Sequence, residues 1–353
     1  LEHLIPPEWF TGQPQWLLLI LTAIATAGLI KGADWLVDGA SGIAYRMGIS
    51  KVIVGATIVS LGTTSPEAAV SVLAAWSGEP GLALGNAVGS IIVDSGLIFG
   101  LGCLLATLPA DRFVLSRQGW VQFGAGMLLA AICYGAWFLH DDAATIGRGI
   151  GGLLLVLLVA YMVVSVKWSR EHPAGEPFQM DDESDAERKA GSSTLFLVVA
   201  GLGGLLLVLL ASRVMISSVS ELAEAHWHVP KVVIAATLVA FGTSLPELVI
   251  GMASILKGHK EILVGNIIGA DILNVLFVVG ASAVAAPLPI VEAGARVPDI
   301  LLRVHLPTMV VILVLFRIFI WSASSRGQFR RWFGVPLLMI YVAYAILQFV
   351  VSR

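Results

Sequence analysis

The chain has 353 residues, 57% hydrophobic and only 13% charged, with a mean hydropathy of +0.89 and a formal net charge of −3. Soluble domains carry about 25% charged residues, so this composition excludes an ordinary soluble domain and assigns the chain to the lipid bilayer. The near-neutral charge leaves no electrostatic footprint for a nucleic-acid partner.

Residues 1–15, with Pro6, Pro7 and Pro14, read as a short polar extracytoplasmic leader. Leu1 in place of Met, with no cleavable signal pattern ahead of the first long span, points to a trimmed start. Ten apolar segments follow, near 16–44, 51–77, 81–107, 119–139, 145–167, 194–225, 231–257, 261–286, 305–321 and 333–351. A helix needs about 17–25 apolar residues to cross the hydrocarbon core, so the expected fold is an all-α membrane protein of about ten transmembrane helices. Cys103 and Cys133 lie inside apolar runs and read as small buried hydrophobes rather than a disulfide or metal pair. Nothing in the sequence calls for a cofactor.

Orientation follows the excess of Lys and Arg on the cytoplasmic side. Loops and span ends after segments 1, 3, 5, 7 and 9 hold thirteen Lys and Arg, against five on the other side. Both termini are therefore expected outside the cytoplasm. The longest polar stretch, 168–193, becomes a cytoplasmic linker between 16–167 and 194–353, the two expected five-helix halves. Its acidic run at Asp181, Asp182, Glu183, Asp185 and Glu187 lacks the spaced ligands and turn glycine of a calcium loop.

One stretch inside the seventh segment dominates the chemistry, ATLVAFGTSLPELVIG from Ala236 to Gly251. A carboxylate at membrane depth costs roughly 2.5–3.5 kcal/mol on insertion scales and marks function. Pro246 has no N–H and crowds the carbonyl of Gly242 four residues back. The helix should break or kink there, freeing carbonyls beside Thr243, Ser244 and Glu247. Freed carbonyls, hydroxyls and a carboxylate in a dry helix are ligands for a hard cation. The same pattern occurs as ATIVSLGTTSPEAAVS from Ala56 to Ser71.

Shifting the chain by 180 residues lays 51–100 on 231–280 without a gap, with 15 identities. Thr63 meets Thr243, Pro66 meets Pro246, Glu67 meets Glu247, and Gly85, Asn86 and Gly89 meet Gly265, Asn266 and Gly269. The copies begin spans 2 and 7, an odd number apart, so they cross in opposite directions. That is the inverted-repeat plan of secondary transporters, with ions held near the midplane. Asn86, Ser90 and Asp94 share one helical face in one copy, as Asn266, Ala270 and Asn274 do in the other. Glycines four apart suit close helix packing. Glu67, Glu247 and Asp94 would meet among Thr63, Thr64, Thr243, Ser244 and Asn274, an oxygen set for Ca²⁺ with no His or Cys to suit zinc or copper. Three such carboxylates repel one another, so one should carry a proton when no calcium is bound.

GTTSPE and GTSLPE, each followed by GN-x-x-G, resemble the alpha repeats of the calcium/cation antiporter superfamily, especially prokaryotic sodium/calcium exchangers. The resemblance implies Na⁺/Ca²⁺ exchange by alternating access, in a prokaryotic plasma (inner) membrane, by a chain working as a monomer unit. It implies Ca²⁺ at Glu67, Glu247 and backbone oxygens of Thr63 and Thr243. Sodium sites would add Thr64, Ser244 and Ser90, with carbonyls of Ser60 and Ala240. Asp94 and Asn274 close a middle site in the reverse of the usual order, Asn first and Asp second. Ala270 stands opposite Ser90 and removes one sodium hydroxyl, which questions the usual stoichiometry. Asp271, about 60° around the helix from Asn274, would be either a replacement ligand or a supporting group.

Other readings are H⁺/Ca²⁺ exchange, potassium-dependent exchange, an intramembrane aspartyl protease or an ion channel. The repeated carboxylates are glutamates beside prolines rather than facing aspartates, and two inverted copies are not a ring of pore subunits. Lys31, Asp34 and Asp38 on span 1 are expected to pair with one another, as are Arg213, Glu221 and Glu224 on span 6.

Overall fold

The structure, a computed structural model, describes residues 9–47, 51–76, 80–140, 144–171, 193–222, 225, 244–291 and 300–351. Ten helical elements follow in order. They are α1 (Gln15–Met47), α2 (Lys51–Ser65 continued by Glu67–Trp76), α3 (Pro80–Leu105), α4 (Arg112–His140) and α5 (Arg148–Glu171). Then come α6 (Thr194–Glu221), α7 (Leu245–Leu256), α8 (Lys260–Ala285), α9 (Leu301–Ser324) and α10 (Gly334–Val351). Eight are long and apolar enough to cross a membrane, and the bent α2 makes a ninth. The 12-residue α7 is the described part of the seventh expected span, whose first half, 231–243, lies outside the described residues.

Burial separates central helices from lipid-facing ones. The best membrane window of α8 is 94% buried and that of α3 72%, against 22–33% for α1, α4, α5, α6 and α10. A helix that is apolar all round sits in the middle of a bundle. Around α3 and α8 the main core gathers Ile91, Phe99, Ile267, Ile272, Ile312 and Phe316. A second apolar cluster joins α1 and α6 to α7 through Leu29, Val37, Val208 and Ile250. Gly32 and Gly39 of α1 lie against the backbone of α6 at Gly204 and Gly201, where any Cβ would collide. Outward faces carry Trp16, Trp76, Trp321 and Trp332 near span ends, the placement of interfacial anchors.

Two short ribbons record the inverted repeat. Strand β1 (Leu108–Pro109), after α3, pairs with β4 (Gln328–Phe329), before α10. Strand β2 (Thr145–Ile146), before α5, pairs with β3 (Leu288–Pro289), after α8. The 180-residue shift carries Leu108–Pro109 onto Leu288–Pro289, so each half lends one loop to the other at opposite ends of the bundle. The loops after α3 and α9 must then lie on one side, which needs an even number of crossings between them. α4, α5, α6, α8 and α9 supply five, and α7 belongs to the sixth.

Several charges sit differently from expectation. α4 begins at Arg112 rather than near 119, because Arg117 stacks over the Phe113 ring (3.5 Å) and lets the helix carry its cation at the membrane edge. Arg317 of α9 lies over Trp120 of α4 at 4.1 Å. Asp34 and Asp38 pair with Lys257 at the end of α7 (3.5 and 2.7 Å), not with Lys31, which lies 5.8 Å over Trp35. A partner on another helix relieves both carboxylates at once. Glu221 accepts from the Gly12 N–H at 2.8 Å, while Glu224 lies outside the described residues.

Candidate cation-binding site

The expected breaks take two forms. α2 bends by 42° between Ser65 and Glu67, at Pro66, while its backbone stays helical. In the second copy the described helix α7 has Ser244 at its N-cap and Pro246 in its first turn, where a missing N–H costs nothing, while 231–243 lie outside the described residues. Glu247 therefore sits in the first turn of a helix, where the macrodipole favours negative charge.

Widened, π-helical turns open the helices at further places, which the sequence did not announce. One, Gly55–Val59, lies just before Ser60, Thr63 and Thr64. Asp94 sits in the first turn of another, Val93–Ile98, and Asn274 opens a third, Asn274–Val279. Such turns add one residue per ring and recur at functional sites. Asp94 and Asn274 thus occupy equivalent distortions on the two most buried helices.

Every described residue of the expected set is buried. Ser60, Thr63, Thr64, Glu67, Ser90, Asp94, Ser244, Glu247, Asp271 and Asn274 are all at most 2% exposed. Thr243 and the Ala240 carbonyl lie outside the described residues. Contacts cross the repeat boundary: Glu67 lies near Glu247 and Asp94, and Thr63 lies beside Glu247. Thr63 also meets Asn266 Oδ1 at 3.5 Å, and Asn86 donates to Ser71 at 3.1 Å, so each repeat asparagine braces a site helix. Gly265 and Gly269 press directly on the α2 backbone at Val52 and Ala56, leaving no room for a Cβ. This contact brings α8 against the site-bearing helix of the other repeat. For Gly85 and Gly89 the symmetric partner stretch, around 232–240, lies outside the described residues.

Seven oxygens define the chemistry. Thr64 Oγ1, Glu67 Oε2, Ser90 Oγ, Asp94 Oδ1, Ser244 Oγ, Glu247 Oε2 and Asn274 Oδ1 are buried without a hydrogen-bond partner among the described residues, and so is Asp271 Oδ1. An unsatisfied buried polar group costs about 1–3 kcal/mol, so seven approach the whole stability of a domain, about 5–15 kcal/mol. A hard cation bound among these oxygens would repay that cost. Among the described residues no three His, Cys, Asp or Glu converge tightly enough to hold a metal by themselves.

Asp271 is tied elsewhere. Its Oδ2 accepts from Ser95 Oγ at 2.5 Å and from Gln122 Nε2 at 2.6 Å. Gln122 belongs to a buried polar track on α4 and α5 that sequence reasoning missed. Gln118 donates to Ser165 (3.3 Å), and Tyr161 Oη lies 2.9 Å from Gln118 Oε1 and 3.1 Å from the Ala56 carbonyl. Ala56 is in the π turn of α2, so Tyr161 ties α5 to that turn. The signal that could have found the track is an amide side chain inside an apolar span, costly in lipid and therefore purposeful.

A bundle of inverted repeats with partnerless oxygens at its centre defines a cation-handling membrane transporter. The family of sodium/calcium exchanger proteins matches residues 17–167 and 196–350, and the chain belongs to that family. It is 28% identical over 347 residues to the sodium/calcium exchanger MaX1 of Methanosarcina acetivorans, covering 91% of this chain and 95% of the relative. It is 30% identical over 314 residues to the inner membrane protein YrbG of Escherichia coli, covering 88% and 91%. Among solved structures, the sodium-calcium exchanger NCX_Mj in a Na⁺ and Sr²⁺ soak superposes with a TM-score of 0.76 and 26% identity, covering 95% of this chain and 99% of that one. The protein is thus an integral membrane transporter, a cation/calcium antiporter by family, rather than an enzyme.

Proposed function

We propose that the protein exchanges Na⁺ for Ca²⁺ by alternating access, with both ions bound between the two repeats. The observation that carries this reading is the set of seven partnerless oxygens drawn from both copies. Ca²⁺ takes Glu67 and Glu247 with the Thr63 and Thr243 carbonyls. Na⁺ takes Thr64, Ser244, Ser90 and the carbonyls of Ser60 and Ala240, and Asp94 with Asn274 closes the middle position. The halves 16–167 and 194–353 flank a cytoplasmic linker at 168–193, a division supported by the two stretches that the family matches. Both termini face away from the cytoplasm, the membrane is a prokaryotic plasma (inner) membrane, and one chain forms the working unit.

Calcium flux into proteoliposomes tests the reading, driven by a sodium gradient or a pH gradient, each with and without potassium. Sodium-driven flux is expected. Flux only under the pH gradient would reassign the coupling ion to H⁺, a reading favoured by the hydroxyl missing at Ala270. A cysteine at Ser184, with Cys103 and Cys133 replaced, should resist an impermeant reagent added outside sealed cells. Labelling there would overturn the topology.

A further inference from the structure

We propose that Asp271 is a positioning residue for Asp94, acting through Ser95 and itself held by Gln122. Resting on the exchanger reading, the proposal gives Asp271 a bracing role through its Oδ2. Ser95 follows Asp94 directly within the π turn Val93–Ile98. Its hydroxyl donates to Asp271 Oδ2 at 2.5 Å, Gln122 Nε2 donates to the same oxygen at 2.6 Å, and Gln122 also reaches Ser95 Oγ at 3.4 Å. Three groups, from α3, α8 and α4, close a triangle one residue from the carboxylate that faces the site. Oδ2, which already accepts two hydrogen bonds, has little capacity left for a cation, whereas Asp271 Oδ1 is buried without a partner among the described residues.

Packing alone does not ask for this triangle. The 180-residue shift carries Asp271, Ser95 and Gln122 onto Ile91, Val275 and Leu302, all apolar and all buried. The same helix junction on the other side of the pseudo-symmetry axis is therefore filled by hydrocarbon, the cheaper solution in a membrane interior. The polar version stands only behind Asp94, the middle-site residue that carries charge. Its mirror turn, behind the neutral Asn274, has none. A π turn lacks regular i to i+4 bonding and is soft. Pinning it from two neighbouring helices fixes the carboxylate before the cation arrives, so less ordering is left to offset binding.

The test compares apparent Ca²⁺ KM and kcat in proteoliposomes, with Ca²⁺ binding to the detergent-solubilised protein by calorimetry as a second readout. Asp271→Ile, taking the mirror residue, should raise KM about tenfold, the usual scale for a lost supporting bond behind a metal ligand, with kcat changed less. Asp271→Asn keeps an acceptor for Ser95 and Gln122, so it should stay within about twofold of the parent. Ser95→Ala should match Asp271→Ile, and the two together should be no worse than either alone. If Asp271→Ile does not fold, Ser95→Ala carries the test. An Asp271→Asn protein as impaired as Asp271→Ile would show that the charge acts on the ion itself. A silent Ser95→Ala would overturn the proposal, as would variants that lower melting temperature without moving KM or calcium affinity. Parent protein that moves calcium under neither gradient would instead sink the exchanger reading.

Discussion

The two repeats share a widened turn and differ in charge. Each carries a Pro-Glu pair, at the bend of α2 and in the first turn of α7, and each places a widened turn near the matching position of the next helix, Val93–Ile98 and Asn274–Val279. Yet the first turn presents Asp94 with Ser90 one turn before it, and the second presents Asn274 with Ala270. Geometry that both repeats share must serve what both halves do, which is to open and hold an oxygen shell. Chemistry present once must set which ions fill it and how many. The comparison separates the parts that should be indispensable from the parts that should tune.

The shared parts should therefore show the largest effects. Glu67→Gln or Glu247→Gln should each nearly abolish sodium-driven calcium flux while leaving a folded protein, since each removes one of two matched carboxylates facing the other across the repeat boundary. Flux at near-parent level in either variant would remove that glutamate from the mechanism. The next largest effect belongs to close packing. Gly265→Ala places a Cβ against the Val52 carbonyl, and forcing backbone apart typically costs about 1–3 kcal/mol. A lower melting temperature together with reduced flux is expected, and an unchanged melting temperature would show that α2 and α8 have slack.

How much of this was legible in the sequence depended on whether the cause was local. Pro66 announces its own bend in α2, because the ring and the missing N–H belong to one residue. The repeat announced itself because a gapless shift needs no structure. The π turns did not, since neither VDSGLI nor NVLFVV differs in composition from regular helix. Partners chosen through space were also hidden. Lys31, Asp34 and Asp38, spaced three and four residues apart, looked like partners of one another, but Lys257 reaches both carboxylates from another helix. Gln118 and Gln122 were visible as letters, yet only the fold shows that one braces Tyr161 and the other Asp271.

Asp94 is the first of the unshared features. It emerges from a turn without a proline, and in the proposed exchange Glu67 and Glu247 serve as the calcium ligands. Asp94 is therefore the carboxylate expected to hold the proton when sodium replaces calcium. Asp94→Asn should retain substantial exchange and flatten its dependence on mild acidity, measured as flux across a pH series. An Asp94→Asn protein as inactive as Glu67→Gln would make the third charge a required ligand.

Ala270 should give the smallest effect and the most informative one. It occupies the place of Ser90 in the second repeat and is fully buried, so the shell there lacks one hydroxyl. A hydroxyl is a neutral ligand, and one neutral hydrogen-bond-scale contact is worth about 0.5–1.5 kcal/mol, or roughly 2- to 12-fold in affinity. Ala270→Ser adds one oxygen to a buried alanine beside Asp271, a small increase in volume for α8 to absorb. It should lower the sodium concentration for half-maximal exchange by several-fold and steepen the sodium dependence, leaving calcium KM nearly fixed. The asymmetry at 90 and 270 would then be what sets the number of sodium ions per calcium. If sodium dependence does not move while calcium KM does, the serine position belongs to the calcium shell, and the two repeats differ in chemistry for another reason.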